Sequence, residues 1–127
     1  MSVIKEDLLQ LANQLVVATT ETHWRTAVSR AYYAAYHGCV EWHASMPTPG
    51  SSGSNPTGVH QQLLNKLKNG APEWIPEHKL LGRVLSAQLG ALKAKRTVAD
   101  YDLCVIVDQA QAASDCAMAE TCLAKLQ

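Results

Sequence analysis

Apolar residues recur at three- and four-residue steps along most of the chain, the spacing that gathers apolar side chains on one face of a helix. No stretch keeps the strict alternation of a β-strand. The predicted helices run from Val3 to Ala18, from Thr22 to about Ala44, from Val59 to near Gly70, from after Pro76 to about Val98, and from about Val107 to Leu126. Thr22 is the expected N-cap of the second helix. The pattern predicts an all-α fold, an up-and-down bundle of four to five helices.

Between the second and third predicted helices, residues 46–58 read MPTPGSSGSNPTG and interrupt the helical pattern. Proline and glycine at this density favour a loop, which we expect to be exposed and flexible. A glycine-rich phosphate cradle is not predicted, because no Lys-Ser or Lys-Thr pair follows the segment at the start of a helix. A chain of 127 residues with one such interruption is predicted to form a single domain, residues 1–127.

The composition is that of an ordinary globular protein. Hydrophobic residues make up 47% of the chain and 11 Lys and Arg balance 11 Asp and Glu, which argues against disorder. The longest apolar runs, such as residues 15–18 and 104–107, fall far short of the roughly 20 residues that a membrane-spanning helix needs. The first residues lack the basic-then-apolar order of a secretory signal, and no Cys-x-x-Cys pair occurs. We therefore expect a cytoplasmic protein that does not contact a membrane and whose four cysteines are reduced and buried.

The overall balance of charge hides an uneven distribution along the chain. Residues 57–98 carry seven basic and two acidic side chains, a net charge of +5, whereas residues 99–127 carry one basic and five acidic side chains, a net charge of −4. Two interpretations remain open. The two segments neutralise each other in the fold, or a basic cleft is bordered by acidic helices.

The first polar cluster, SRAYYAAYH at residues 29–37, places one arginine, three tyrosines and one histidine on two turns of the second predicted helix. Arg30, Tyr33 and His37 share one face of this helix. A buried tyrosine needs a hydrogen-bond partner for its hydroxyl. The cluster is therefore either a polar seam satisfied by a neighbouring helix or one wall of a ligand site.

The second polar cluster, KAKRTVADYD at residues 93–102, lies where the fourth predicted helix ends. Arg96 and Asp100 are four residues apart and can pair on one helical turn, and Tyr101 follows directly. The pair either terminates the helix or presents Arg96 to a phosphate, with Tyr101 as a hydrogen-bond donor or stacking platform.

The histidines do not complete a metal site or a catalytic site in the sequence pattern. His37 and Glu41 are four residues apart and His43 follows, but no third converging ligand can be named. His60 and His78 stand at the starts of predicted helices and receive no catalytic role. The sequence therefore predicts no metal and no cofactor.

In order and spacing, these motifs resemble the HEPN domain family. SRAYYAAYH on the second helix, a histidine opening the third helix after a glycine-rich loop, and RTVADYD closing the fourth helix span essentially the whole chain. The resemblance implies an α-helical bundle, commonly a homodimer, in a family found in toxin systems, beside nucleotidyltransferases, and in RNA-processing and defence proteins.

Many members of that family are metal-independent ribonucleases whose site, near the end of the fourth helix, combines an Arg, a polar residue directly after it, and a His four to six residues further on. Carried over, the resemblance assigns Arg96 and Thr97, but Asp100 and Tyr101 stand where the His is expected, and no His follows His78. Carboxyl and phenol groups, with ordinary pKa values of about 3.9 and 10, poorly replace an imidazole of about 6.5 in acid–base catalysis at neutral pH. We therefore expect no efficient nuclease activity, with Arg96, Asp100 and Tyr101 as weak catalytic candidates.

The preferred hypothesis is a dimeric, HEPN-like bundle that binds RNA, a nucleotide or a partner protein. The predicted site residues are Arg96 for phosphate contact, Asp100 to orient it, Tyr101 on the same seam, and Ser29, Arg30 and Tyr33 on the facing helix. Two alternatives remain open: a metal-independent, toxin-type ribonuclease, and a non-catalytic partner of a nucleotidyltransferase. An accessible Arg96 favours RNA, whereas an Arg96 buried against Asp100 favours the partner-binding module.

The second helix also contains an Arg-to-His pair with the nuclease spacing. Arg30 and His37 have this spacing, although they lie on the second helix rather than the fourth. We expect these two residues to serve packing rather than catalysis.

Overall fold

The computed structural model describes residues 3–55 and 57–127, and this part of the chain folds as an all-α bundle of five helices. Pro56, which belongs to the predicted loop, and residues 1–2 lie outside the described residues. The helices are α1 (Lys5–Val16), α2 (Glu21–Ala44), α3 (Val59–Asn69), α4 (Pro76–Tyr101) and α5 (Gln109–Ala124). The predicted fold class is confirmed, and none of the helices in the described ranges is both long and apolar enough to cross a membrane.

The core forms where α2 packs against α1, α4 and α5, while α3 packs on α4. Small residues dominate the buried face of α2, and leucines dominate that of α4. Gly82 allows α3 and α4 to approach closely, since a Cβ atom there would lie 2.4 Å from the Leu67 carbonyl oxygen. The low helix propensity of glycine at this position is therefore offset by tight packing.

Helix ends differ from the sequence prediction where local capping decides them. The N-cap of α2 is Thr20 rather than Thr22: its hydroxyl oxygen accepts a hydrogen bond from the backbone N–H of His23, so Thr22 falls inside the first turn. Asp108 caps α5 in the same way, accepting from the Gln111 N–H at 2.8 Å. Pro76 is the first residue of α4 rather than the last of a turn, since a helix start needs no N–H there.

The C-terminal end of α4 extends to Tyr101, three residues beyond the predicted end at about Val98. Arg25 of α2 explains this extension. Its guanidinium donates to the carbonyl oxygens of Ala99 at 3.0 Å and Asp102 at 3.1 Å, more weakly to that of Val98, and also to that of Val105. A cation bound to these carbonyls stabilises the negative end of the helix dipole. The extra turn places the whole second polar cluster up to Tyr101 on α4.

Glu21 completes this contact, which we call the Arg25 clamp. Its carboxylate accepts from Arg25 Nε at 2.8 Å and from the backbone N–H of Val107 at 3.2 Å. These two hydrogen bonds lower the pKa of Glu21, with that from Val107 contributing most. The clamp thus fixes the connection between α4 and α5 against the start of α2.

The connection between α2 and α3 contacts the end of α3 and the turn between α3 and α4. Trp74 Nε1 donates to the Thr48 carbonyl at 2.6 Å, and Asn69 Nδ2 donates to that of Ser51 at 2.8 Å. The predicted loop is therefore anchored in its first half, and its flexibility stays a prediction.

Among the cysteines, three are buried, but Cys104 is exposed, because it lies in the α4–α5 connection rather than on a packed helix face. The expectation that all four are buried was wrong at this position.

Candidate ligand-binding site

The two polar clusters predicted from the sequence meet where α2 packs on α4. Arg96 Nη2 donates to the Tyr33 hydroxyl at 2.7 Å, and Ser29 Oγ donates to Asp100 Oδ2 at 3.2 Å. Arg96 Nε lies 3.1 Å from the same Asp100 oxygen, an ion pair rather than an aligned hydrogen bond. The two polar clusters of the sequence thus form one continuous cluster that joins α2 and α4.

Tyr33 stands at the centre of this cluster with a guanidinium on α2 and another on α4. The Cζ atom of Arg30 lies 5.1 Å from the Tyr33 ring centroid, and that of Arg96 lies 5.3 Å from it. Both distances suit a cation–π contact. Arg30 Nη2 also donates to Ser29 Oγ at 3.3 Å, which links it to Asp100. We call this set, Ser29, Arg30, Tyr33, Arg96 and Asp100, the arginine–tyrosine cluster.

The cluster holds more positive than negative charge. Two guanidinium groups face one carboxylate, that of Asp100, so its formal charge is +1. Arg96 is largely enclosed, with 17% of its side chain exposed, and is bound to Asp100 and Tyr33. Arg30 and Arg96 each have a buried Nε without a hydrogen-bond partner among the described residues, but that of Arg96 lies 3.1 Å from the Asp100 carboxylate, whereas Arg30 forms no ion pair within the described ranges. A buried donor left unpaired is costly, so Arg30 is the cation here that gains most from a bound anion.

Tyr101 is the most peripheral of the predicted site residues. Its ring lies 5.4 Å from the Arg96 Cζ atom, and 71% of the residue is exposed to solvent. The structure therefore brings five of the six predicted residues into direct contact and leaves Tyr101 at the edge as an exposed aromatic surface.

An imidazole from α3 joins the site, although its place in the sequence predicts no catalytic role for it. His60 Nδ1 is hydrogen-bonded to the hydroxyl of Tyr32, and its ring centroid lies 4.5 Å from that of Tyr36. Burial raises the pKa of Tyr32, so its hydroxyl stays protonated. Burial, and then the nearby charges of Arg96 and Lys93, lower the pKa of His60. His60 is therefore a neutral imidazole at pH 7.

The sequence contains only an indirect signal for this histidine. A buried tyrosine such as Tyr32, 1% exposed, requires a partner for its hydroxyl. That requirement does not say which residue supplies it, because His60 is 28 residues away and reaches Tyr32 only through the packing of α3.

A groove opens beside the arginine–tyrosine cluster, between α1 and the exposed side of α2. Its volume is about 460 Å³. At its far end Lys5 Nζ lies 2.6 Å from Glu41 Oε2. We call it the α1–α2 groove; besides Val3, its lining comes from Ile4, Lys5 and Leu8 on one side and from Arg30, Tyr33, His37, Val40 and Glu41 on the other. Arg30 and Tyr33 thus belong to both the cluster and the groove.

Comparison of the chain with protein-family models, with curated proteins and with solved structures gives no match. The resemblance to the HEPN family therefore stays a prediction. Chemically, the arrangement offers two cations and a hydrogen-bonding tyrosine at one end, a partly apolar groove in the middle, and two imidazoles close by.

Proposed function

We propose that this chain is a HEPN-like protein that binds a phosphate-bearing ligand, RNA or a nucleotide, at the arginine–tyrosine cluster without cleaving it efficiently. One observation supports this most directly: two guanidinium groups lie against Tyr33, and Asp100 is the one carboxylate of the cluster that offsets their charge. Arginine recognises phosphate through paired N–H donors, and a site of net positive charge favours an anion.

The two arginines have different parts in this proposal. Arg30 contacts the phosphate, because its guanidinium makes one weak hydrogen bond, to Ser29, and its side chain lines the open groove. Arg96 positions Tyr33 and Asp100 and adds its charge. The enclosed Arg96–Asp100 pair is the arrangement expected of a partner-binding module, such as a non-catalytic partner of a nucleotidyltransferase, so this alternative also has a specific observation behind it.

A second candidate function, metal-independent ribonuclease, is favoured by His60. Cleavage of RNA without a metal requires one group to take the 2′-hydroxyl proton and another to protonate the leaving oxygen. A neutral His60 can accept a proton, and His37 lines the adjacent groove. We rank this function second because Nδ1 of His60 is already bonded to Tyr32, and its ring packs on Tyr36.

Binding is tested with a fluorescent single-stranded RNA octamer, followed by anisotropy at low salt because phosphate contacts weaken as salt rises. We expect Arg30→Ala to reduce the affinity about tenfold or more, the effect of losing one charged hydrogen bond to phosphate. Arg83→Ala, which removes an exposed arginine of α4, is the matched control. Equal affinities of these two variants would refute a phosphate contact by Arg30.

Arg96→Ala separates a binding role from a structural one. We expect it to weaken RNA binding by a larger factor than it lowers the unfolding equilibrium constant, since Arg96 also helps to hold Tyr33 and Asp100. Equal losses would return Arg96 to a structural role. Absence of any RNA affinity in the wild type, with capture of a nucleotidyltransferase-type protein, would favour the partner-binding module.

Cleavage is tested by incubating the purified chain with single-stranded RNA in EDTA. The proposal expects intact RNA. Cleavage by the wild type that disappears in either His60→Ala or His37→Ala, with both variants folded by circular dichroism, would establish the ribonuclease instead.

A further inference from the structure

We propose that the α1–α2 groove is a nucleobase subsite, so that the ligand of the arginine–tyrosine cluster is a nucleotide unit rather than a bare phosphate. This inference rests on the proposed function, because it takes Arg30 as the phosphate contact. It adds His37, Val40 and Leu8 as base contacts, none of which belongs to the predicted phosphate site.

The position of the groove places a base within reach of a phosphate held at Arg30. Arg30 lines one end, and His37 follows seven residues later on α2, a rise of about 10 Å along the helix. A ligand that bridges the two must therefore carry a body beyond its anionic group. The volume of about 460 Å³ lies within the range of small-molecule sites, roughly 300–1,000 Å³.

The walls of the groove suit a flat, partly polar ring. Tyr33 and His37 supply aromatic surfaces, with ring centroids 6.5 Å apart and an angle of 33° between their planes. Unstacked bases of RNA are bound in this way, against Tyr and His side chains. Val40 and Leu8 supply apolar surface, and Val40 is 37% exposed. An inorganic anion would leave these surfaces unused.

The far end of the groove offers the hydrogen-bonding edge that a base requires. The Lys5–Glu41 ion pair presents N–H donors and carboxylate acceptors, and 61% of the Glu41 side chain is exposed. A nucleobase edge carries donors and acceptors of its own. The groove therefore combines, in order, a cation, an aromatic and apolar middle, and a mixed polar end.

The experiment compares oligonucleotides that differ only in the base. Anisotropy measures the affinity of the wild type for a single-stranded RNA octamer and for an abasic octamer of the same length and charge. We expect the base-containing strand to bind about tenfold tighter, the size of a single base–aromatic stacking contact. Guanosine and adenosine monophosphate, compared with ribose 5-phosphate by NMR at the His37 ring protons, show whether a free nucleotide also binds.

Val40→Trp is the test variant because its indole fills the groove without removing a cation. We expect it to abolish the preference for the base-containing strand while affinity for the abasic strand stays unchanged. Val17→Trp, at a residue 76% exposed beyond α1, adds the same side chain outside the groove and should keep the preference.

Each outcome decides between the two proposals. Equal binding of both octamers by the wild type overturns the base subsite and leaves the phosphate site standing; a groove occupied by another protein chain would give this result. Binding of neither octamer and of no mononucleotide overturns both proposals. The inference is also overturned if the preference for the base-containing strand survives Val40→Trp, or if this variant loses affinity equally for both strands. In either case the base does not occupy the groove. If the protein prefers the base-containing ligand among the octamers and also among the small phosphates, a free nucleotide is supported as a ligand. If it shows this preference only among the octamers, RNA is supported.

Discussion

Arg25 and Arg30 lie five residues apart on α2, yet their hydrogen bonding differs in kind. Every guanidinium nitrogen of Arg25 has a partner, in Glu21, in the carbonyl oxygens at the end of α4 or in that of Val105 in the α4–α5 connection. Arg30 makes one weak hydrogen bond, to Ser29 at 3.3 Å, and keeps a buried Nε without a partner among the described residues. The hydrogen bonds of Arg25 join α2 to the end of α4, whereas Arg30 keeps unused hydrogen-bond donors beside the open α1–α2 groove.

This difference in hydrogen bonding predicts which substitutions change the stability of the fold and which change ligand binding. A completed set of hydrogen bonds stabilises the folded chain, whereas an unpaired donor at a cavity lowers stability and gains most from a ligand. Substitutions at the Arg25 clamp should therefore change the free energy of unfolding, and substitutions at the arginine–tyrosine cluster should chiefly change binding.

The largest expected effect is that of Arg25→Ala. Removing this side chain leaves the carbonyl oxygens at the end of α4 without their shared donor and frees the α4–α5 connection, so we expect a loss of about 3 kcal/mol in the free energy of unfolding. Urea denaturation measures it. Arg83→Ala, the exposed control, should stay within about 0.5 kcal/mol. A loss no larger than that of the control would show that the clamp does not stabilise the fold.

Tyr33→Phe is expected to have a smaller effect on stability and a clear one on binding. The ring that packs on both arginines remains, but Arg96 loses the hydroxyl acceptor at 2.7 Å, which costs about 1.5 kcal/mol in the free energy of unfolding. RNA affinity should fall because Arg96 and Asp100 lose their fixed geometry. Tyr101→Phe is the matched control, since that tyrosine is 71% exposed. Unchanged RNA affinity in Tyr33→Phe would argue against the cluster as the binding site.

The fold followed from the sequence because helical spacing is a local property. Three- and four-residue steps of apolar side chains located all five helices, and errors were confined to their ends. Those ends depend on individual contacts. Thr20 rather than Thr22 accepts the capping hydrogen bond, and Arg25, a residue on another helix, supplies the donors that let α4 continue to Tyr101. Apolar periodicity contains no information about such contacts.

The candidate site was predictable only where it lies within single helices. The Arg96–Asp100 pair and the shared face of Arg30 and Tyr33 follow from residue spacing, and the structure contains both. The arrival of His60 beside Tyr32 depends on how α3 packs, and the α1–α2 groove depends on how α1 lies on α2. Tertiary packing decides these features, so the sequence pattern did not indicate them.

Asp115 of α5 offers a test of incomplete hydrogen bonding outside the lining of the α1–α2 groove. It is 3% exposed, its Oδ2 has no partner among the described residues, and burial raises its pKa. We expect Asp115→Asn to raise the free energy of unfolding at pH 7 by about 1 kcal/mol, because the buried charge disappears. Asp108→Asn, at the N-cap, should be nearly neutral since both residues cap well.

The pH dependence of the Asp115 effect has a defined sign. A raised pKa means that the folded chain holds the proton more tightly, so this group contributes its full stability below the ordinary aspartate value of 3.8 and loses it as pH rises through the folded value. The advantage of Asp115→Asn should therefore grow from pH 4 upward. An advantage that does not vary with pH would mean that the carboxyl group is not the cause.

The smallest expected effect is the acid sensitivity of the Arg25 clamp through Glu21. The hydrogen bond from the Val107 N–H, and then the one from Arg25, lower the pKa of Glu21 below its ordinary value of 4.5. A carboxylate with a lowered pKa stabilises the fold fully above that ordinary value and loses its contribution as pH falls through the folded value. Glu21→Gln should therefore melt at a lower temperature than the wild type at pH 7, and the difference between the two melting temperatures should shrink as the pH falls below 4.5. Glu120→Gln, an exposed change on α5, should follow the wild type throughout.

Glu21 and Arg25 act in the same contact, so their effects on stability should not add. The fall in melting temperature caused by Glu21→Gln should largely vanish when Arg25 is already alanine, whereas additive falls would show that the two residues stabilise the end of α4 independently.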